Sequence, residues 1–416
     1  MDYVIIGNSA AAVGCIEGLR KCDKEGRITV ISDETHHVYS RPLISYYLAG
    51  KVSAKNMVYR KQDFYEKFGV TTMFGKKATA IDPKQKTVTL DGGETVKYDK
   101  LLIATGSSPF VPPTEGLKDQ DNFYTFLKYD DALGIEKWIS KDANVVVVGA
   151  GLIGLKAAEG IAPVAGSVHV VEMAPRVLPM ILDEAAATPV QKRLEENGVT
   201  FHLGMTVGEV IGDKHIEQVV LKDGTVLPCD VLVMGVGVRP NVAEAKAAGV
   251  DVNRGIIVDD TMRTNVADIW AAGDVTEGVD AITGERKIMA LWPNAYAQGR
   301  AAGYDMAGKK DDFTGVFPMN AVGFFGLSVI TAGVQGGEGI ELLAKYDEKT
   351  GASKRFFVKD DRLVGMILVG DVDRAGIYTY LMSERIPLYS LEGKLTDDGF
   401  GLMALGQERM KQRISS

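Results

Sequence analysis

The chain has 416 residues, 46% of them hydrophobic and 25% charged, and carries a formal net charge of −8. These proportions belong to a soluble globular protein of two or three domains and exclude a disordered chain, a collagen and a coiled coil. The acidic balance argues against a general nucleic-acid binder, and no apolar run reaches the roughly 18 residues of a membrane helix.

The chain opens on an apolar strand, Asp2-Tyr3-Val4-Ile5-Ile6-Gly7, with no basic leader, which points to the cytoplasm. Gly7, Ser9, Ala10 and Ala12 form a small-residue turn into a helix, and a second strand ends on Asp33 and Glu34. This strand–turn–helix–strand unit has the length of a dinucleotide-binding βαβ motif. Taken alone, it also fits a structural βαβ that binds nothing. Further strands are expected at 87–90 and 98–106, the latter ending in Ala104-Thr105-Gly106.

Residues 144–172 repeat the plan with a full G-x-G-x-x-G: Gly149, Gly151 and Gly154, enclosing Leu152 and Ile153. Gly149 permits the tight turn, Gly151 lets backbone approach a pyrophosphate, and Gly154 lets helix and strand pack closely. The pyrophosphate sits on the unpaired N–H groups of the helix start. Glu172 ends the next strand, where a carboxylate accepts from a ribose 2′-OH and repels a 2′-phosphate. That favours NADH over NADPH, although Arg176 nearby works against it. A strand follows at 229–237, ending at Gly237, as one follows the first repeat. Beyond Ala271-Ala272-Gly273-Asp274 and a linker-like Lys309-Lys310-Asp311-Asp312, the last hundred residues mix short strands with helices. Three separated cysteines and five histidines make neither a disulfide framework nor a metal site.

With four motifs in this order (Gly7 to Ala12, Ala104-Thr105-Gly106, Gly149 to Gly154, and Ala271 to Asp274), the chain resembles the FAD-dependent pyridine nucleotide–disulfide oxidoreductases over essentially its whole length. It looks most like their branch without a redox cysteine: rubredoxin and ferredoxin reductases, the flavoprotein part of NADH-dependent nitrite reductase, and apoptosis-inducing-factor-like proteins. The resemblance implies an α/β fold of two Rossmann-like dinucleotide-binding domains, glutathione reductase-like, plus a smaller α+β C-terminal domain. Residues 1–110 and 245–315 would bind FAD, 111–244 NADH, and 316–416 would form an interface domain. FAD would lie on Gly7, Ser9, Ala10, Ala12, Asp33 or Glu34, Ala104, Thr105, Gly106, Gly273 and Asp274, the last holding the ribityl chain. Arg41-Pro42 would lie beside the flavin, and the helix beginning Trp292-Pro293-Asn294 would face the isoalloxazine. NADH would lie on Gly149, Gly151, Leu152, Ile153, Gly154, Glu172 and Gly237.

Two departures narrow the function. Where peroxidase, oxidase and coenzyme A–disulfide reductase relatives carry a catalytic cysteine, this chain has Pro42, so thiol chemistry is not expected. Where many relatives have a Glu near the nicotinamide, it has Lys156, with Glu159 one turn on. These two are candidates for tuning the electrostatics of hydride transfer, with a salt-bridged or exposed helix lysine as the alternative. The helix 154–160 is similar to that of flavoproteins accompanying iron–sulfur subunits, such as those beside carbon monoxide dehydrogenase or phenylglyoxylate dehydrogenase. The expected reaction is hydride transfer from NADH to FAD, then electron transfer to an iron–sulfur protein, or the reverse. The alternatives are a flavin-only NADH oxidase using O₂ and a non-catalytic NADH-responsive flavoprotein. Arg409, Lys411 and Arg413, with Lys309-Lys310, are candidates for attracting an acidic carrier, and on composition alone a merely solvated tail is the stronger alternative. A homodimer is left open.

Overall fold

The computed structural model describes residues 1–389, 391, 394–397, 399–403 and 406. The chain divides into two units, each assembled from separated segments: 1–40, 54–108 and 238–317 in the first, and 41–53, 109–237 and 318–416 in the second.

The first unit is built on a five-stranded parallel sheet in the spatial order Ile269–Ala271, Lys100–Ile103, Asp2–Ile6, Arg27–Ser32, Val70–Phe74. Ile5, Val30, Leu101 and Leu102 are fully buried. The central strands are covered on both faces, and this is why Asp2–Ile6 and Lys100–Ile103 read as near-continuous apolar runs, whereas the edge strand Val70–Phe74 exposes Thr71 and Thr72. A three-stranded antiparallel sheet, Ala78–Asp82, Thr87–Leu90 and Thr95–Lys97, belongs to the same unit. The first-repeat helix Ala10–Cys22 packs on the helix Trp292–Met306 at very close range. A Cβ added at Gly14 would stand 2.2 Å from Tyr296 O, and at Gly18 2.7 Å from Arg300 O. From the other side, Gly299 would meet Ala11 O at 1.9 Å and Gly303 would meet Cys15 O at 2.5 Å. Each helix thus carries a G-x-x-x-G on its contact face, and small residues at that spacing let two backbones touch.

The second unit repeats the scaffold: a parallel sheet in the order Phe123–Thr125, Val231–Met234, Asn144–Val148, Ser167–Glu172, Val199–Leu203. It has its own antiparallel sheet, Val207–Ile211, Gln218–Leu221 and Val226–Pro228. The duplication reaches single hydrogen bonds. The Asp2 N–H donates to Asp99 Oδ2 and the Asn144 N–H to Asp230 Oδ2, each at 2.7 Å. Gly7 N–H donates to Ile31 O and Gly149 N–H to Val171 O, each at 2.8 Å. Each central strand therefore ends in a glycine turn at the carboxyl edge of its sheet, where open α/β sheets bind ligands.

The remainder of the second unit is an antiparallel sheet in the order Met319–Phe324, Leu327–Gly333, Arg362–Val369, Ser353–Lys359, Glu341–Tyr346. It is packed by helix Ala375–Ser383, which buries Tyr378 and Leu381 completely. The α/β class with a smaller antiparallel C-terminal sheet is as expected. The 309–312 segment is anchored, because Arg300 pairs with Asp311 at 3.0 Å and Asp312 at 2.6 Å. No helix among the described residues is long and apolar enough to cross a membrane.

Candidate functional site

The first unit holds one glycine-turn cradle. Gly7 has φ +120, and a Cβ there would stand 2.1 Å from Ala104 O, so the turn admits glycine alone. Ser9 enters the first-repeat helix in extended conformation; no side-chain hydrogen bond caps the helix and its first turn holds no acid. Ala10 and Ala12 are buried. The helix start is therefore open to an anion.

Across the turn, Thr105 Oγ1 donates to Asn241 O at 2.9 Å and Asn241 Nδ2 returns a bond to Thr105 O at 2.8 Å. Gly106 has φ +65 with open space beside it. Gly273, at φ +86, donates its N–H to Gln298 Oε1 at 2.8 Å, so the helix Trp292–Met306 fixes the Gly273-Asp274 turn. Asp274 is half-buried. Of the two acids after the second strand, Asp33 is exposed, whereas Glu34 is buried and accepts from the Tyr39 hydroxyl at 2.6 Å. Pro293 opens the helix Trp292–Met306, and buried Asn294 donates to Phe317 O at 3.2 Å. Arg41 and Pro42 belong to the second unit, in a short 3₁₀ turn from which Arg41 Nη1 donates to Leu127 O at 3.3 Å.

The second unit holds the matching cradle. A Cβ on Gly149 (φ +103) would stand 2.6 Å from Gly235 O, and one on Gly154 1.9 Å from Gly149 O. Gly151 differs: its backbone is ordinary, with φ −77, and nothing lies within 4 Å of an added Cβ. Gly237 (φ +115) is likewise open. Leu152 and Ile153, both half-buried, start the second-repeat helix Leu152–Ile161, again without a side-chain cap or an acid in the first turn. Glu172 is held at the mouth by backbone, its two oxygens accepting from Ala150 N at 2.7 Å and Ala174 N at 2.8 Å. Arg176 is turned into its own loop, donating to Leu182 O at 3.0 Å and Pro179 O at 3.2 Å. Two uncapped helix starts with open, glycine-lined space before them fit two dinucleotides.

Lys156 and Glu159 form an ion pair. Lys156 Nζ also donates to Gly323 O at 3.2 Å and lies 4.7 Å from the Tyr46 ring centroid. The other Glu159 oxygen accepts from Phe325 N at 2.8 Å. Both charges are thus satisfied within the second unit. Cys15 is fully buried with its Sγ 3.8 Å from Met306 Sδ, and burial pushes its thiol far up. Burial likewise pushes the Cys229 thiol up to about 12. Among the described residues, no group of three or more His, Cys, Asp or Glu could hold a metal ion. Arg409, Lys411 and Arg413 lie outside the described residues. Asn241, Gln298 and Tyr39 were not foreseen from sequence; only the G-x-x-x-G spacing in the two helices of the first unit carried a signal for that side of the site.

The pyridine nucleotide-disulphide oxidoreductase profile matches residues 1–299, and the profile of the rubredoxin NAD+ reductase C-terminal domain matches 318–386. The chain belongs to the pyridine nucleotide-disulphide oxidoreductase family. As a member of this FAD- and NAD(P)H-binding family it is an oxidoreductase, and its two cradles fit that pair of dinucleotides. It is 32% identical to the NADH-dependent phenylglyoxylate dehydrogenase subunit epsilon of Aromatoleum evansii, over 99% of this chain and 97% of that one. It is 34% identical to the assimilatory nitrate reductase electron transfer subunit of Bacillus subtilis, over 92% of this chain but 49% of the relative, so it spans about half of that protein. Among solved structures, a ferredoxin reductase from Rhodopseudomonas palustris superposes with a TM-score of 0.87 at 25% identity, covering 97% of this chain and 99% of that one.

Proposed function

We propose that this oxidoreductase takes hydride from NADH onto FAD and passes the electrons to an iron–sulfur protein, with flow reversed where potentials require. The first cradle and residues 1–110 and 245–315 would serve FAD. The second cradle and residues 111–244 would serve NADH, with 316–416 as interface domain.

The observation that carries the reading is the combination of two open dinucleotide cradles with buried thiols. The thiolate is the nucleophilic form of cysteine, and Cys15 and Cys229 are held away from it by burial. Neither buried thiol can then serve disulfide chemistry, half-buried Cys22 stands at the end of the first-repeat helix away from the glycine turn, and electrons taken from the nicotinamide need an outside acceptor. When bound, FAD supplies the hydride acceptor and can release electrons singly. The chain's own task is to bind and orient. The uncapped helix starts at Ser9 and Gly151 would meet the pyrophosphates, while Gly7, Gly149 and Gly154 allow the turns to close without a side chain in the way.

Choice of NADH is supported by Glu172, a strand-end carboxylate held by backbone that would oppose a 2′-phosphate, and by Arg176 being engaged by carbonyls of its own loop. An iron–sulfur partner is supported by the likeness to a ferredoxin reductase, and electron transfer by the likeness to an assimilatory nitrate reductase electron transfer subunit. Anaerobic stopped-flow tests the reading. Flavin bleaching should be fast with NADH and slow with NADPH, and reoxidation fast with a ferredoxin or rubredoxin. Fast reoxidation by O₂ alone would make the protein an oxidase. A flavin that NADH barely reduces would sink the reductase reading.

A further inference from the structure

The hairpin joining Met319–Phe324 to Leu327–Gly333 turns through Phe325 and Gly326, both at positive φ (+45 and +83). Two-residue turns of this kind favour Asn-Gly or Gly-Gly. A bulky residue in the first place is an outlier that persists only where its surroundings hold it. Here both polar groups of Phe325 are gripped. Its N–H donates to Glu159 Oε1 at 2.8 Å, and its carbonyl accepts from Arg193 Nη1 at 3.0 Å. Each bond has an ionised partner and is strengthened by it. Lys156 pairs with the other Glu159 oxygen and donates to Gly323 O of the same hairpin. Glu159 is only 8% exposed, so it depends on these partners.

The gripping residues sit on the two elements that leave the second cradle. Glu159 lies on the second-repeat helix, whose N-cap is Gly151 of the glycine turn. Arg193 lies on the helix Glu184–Glu195, reached from Glu172 through the loop 173–183. That loop is tied to the cradle by the Leu178 N–H, which donates to Ala150 O at 2.8 Å. At its end Asp183 caps the helix by accepting from Ala186 N at 3.0 Å, and its other oxygen accepts from Arg355 Nε of the C-terminal sheet at 2.6 Å.

We propose that Glu159 and Arg193 are positioning residues that couple nucleotide occupancy of the second cradle to the C-terminal sheet through the strained Phe325 turn. The inference rests on the reading of that cradle as the NADH site. A nucleotide that orders the helix start orders the element presenting Glu159. By linkage, a held hairpin favours the nucleotide by the same factor as the nucleotide favours the held hairpin. Lys156 balances the Glu159 charge in this arrangement.

The test is anaerobic amide hydrogen exchange of the FAD-loaded enzyme with and without NADH, for the wild type, Arg193→Met, Arg193→Lys and Phe325→Asn. In the wild type NADH should slow exchange at 149–154 and also at 319–333. Arg193→Met should keep the first response and lose the second. Its KM for NADH should rise about fivefold or more while kcat at saturation stays nearly constant, the signature of lost uniform binding. Arg193→Lys should recover part of both effects. Phe325→Asn suits the turn and should keep both responses, showing that the peptide grip rather than the ring carries the coupling. Protection confined to 149–154 in the wild type, or a hairpin response that survives Arg193→Met, overturns the coupling alone. No protection at 149–154 overturns the NADH reading of the cradle and the coupling with it.

Discussion

Gly151 and Gly154 stand three residues apart in one turn, and replacing each with alanine should fail in a different way. At Gly154 the added methyl would stand 1.9 Å from Gly149 O, against backbone that cannot yield. Forced overpacking of this sort costs about 1–3 kcal/mol, so Gly154→Ala should lower the melting temperature and NADH binding together. At Gly151 the backbone is ordinary and the neighbouring space is free of protein. Gly151→Ala should leave thermal unfolding unchanged while raising the KM for NADH about tenfold or more, because the methyl occupies room kept for the ligand (1.4 kcal/mol per factor of ten). A matched loss of stability in both variants would mean that Gly151 serves the fold.

The cysteines give a second residue-level expectation. Burial disfavours the thiolate, so a pKa raised in the folded state suppresses reaction until pH approaches that value. With Cys229 pushed up to about 12, its thiolate fraction near pH 8 is on the order of 10⁻⁴, and Cys15 lies higher still. Titration of the native protein with a thiol reagent at pH 8 should modify Cys22 alone, which is half-buried. The other two should react only after denaturation. Rapid native labelling of a second thiol would reopen thiol chemistry.

At the scale of elements, the helix pair Ala10–Cys22 and Trp292–Met306 decides how the first cradle is held. Gln298, which fixes the Gly273 turn, is followed by Gly299, whose added Cβ would meet Ala11 O at 1.9 Å. Gly299→Ala must part the helices and shift Gln298 away from Gly273. The expected result is substoichiometric FAD in the purified protein and a melting temperature lower by several degrees, taking about 1–3 kcal/mol of overpacking and roughly 2–4 °C per kcal/mol. Gly376→Ala, in a helix with nothing within 4 Å, is the neutral control. Full FAD content in Gly299→Ala would mean that the close approach serves packing only.

The same contrast explains what was legible in the sequence. The turns at Gly7 and Gly149, the close approach at Gly154 and the strand-end Glu172 could be read because such a unit is local: strand, turn, helix and acid follow one another within about 30 residues. Asn241 on Thr105, and Arg193 and Glu159 on Phe325, join positions more than 130 residues apart. No periodicity encodes such partners; they arise from tertiary packing. Lys156 stayed open between tuning and pairing because its carbonyl partner, Gly323, lies 167 residues away.

At the scale of the whole molecule, charge governs the encounter with a carrier. A net charge of −8 repels an acidic iron–sulfur protein at long range, and added salt weakens that repulsion. On this term alone, reoxidation of the reduced flavin by such a carrier should speed up with salt. Residues 407–416 oppose it, holding Arg409, Lys411 and Arg413 against one acid, Glu408. Attraction between these cations and the carrier would be screened beyond about 8–10 Å at 0.1–0.15 M salt, so docking on them makes the second-order rate fall as salt rises. The two terms have opposite signs, and truncation separates them. The full chain should show a rate that falls with salt, and a chain ending at residue 406 a slower rate that rises. Flavin reduction by NADH should be the same in both, since the cradle residues are untouched. If the full chain and the truncated chain share one salt dependence, the cationic tail has no part in steering the carrier, and attraction must come from elsewhere on the surface.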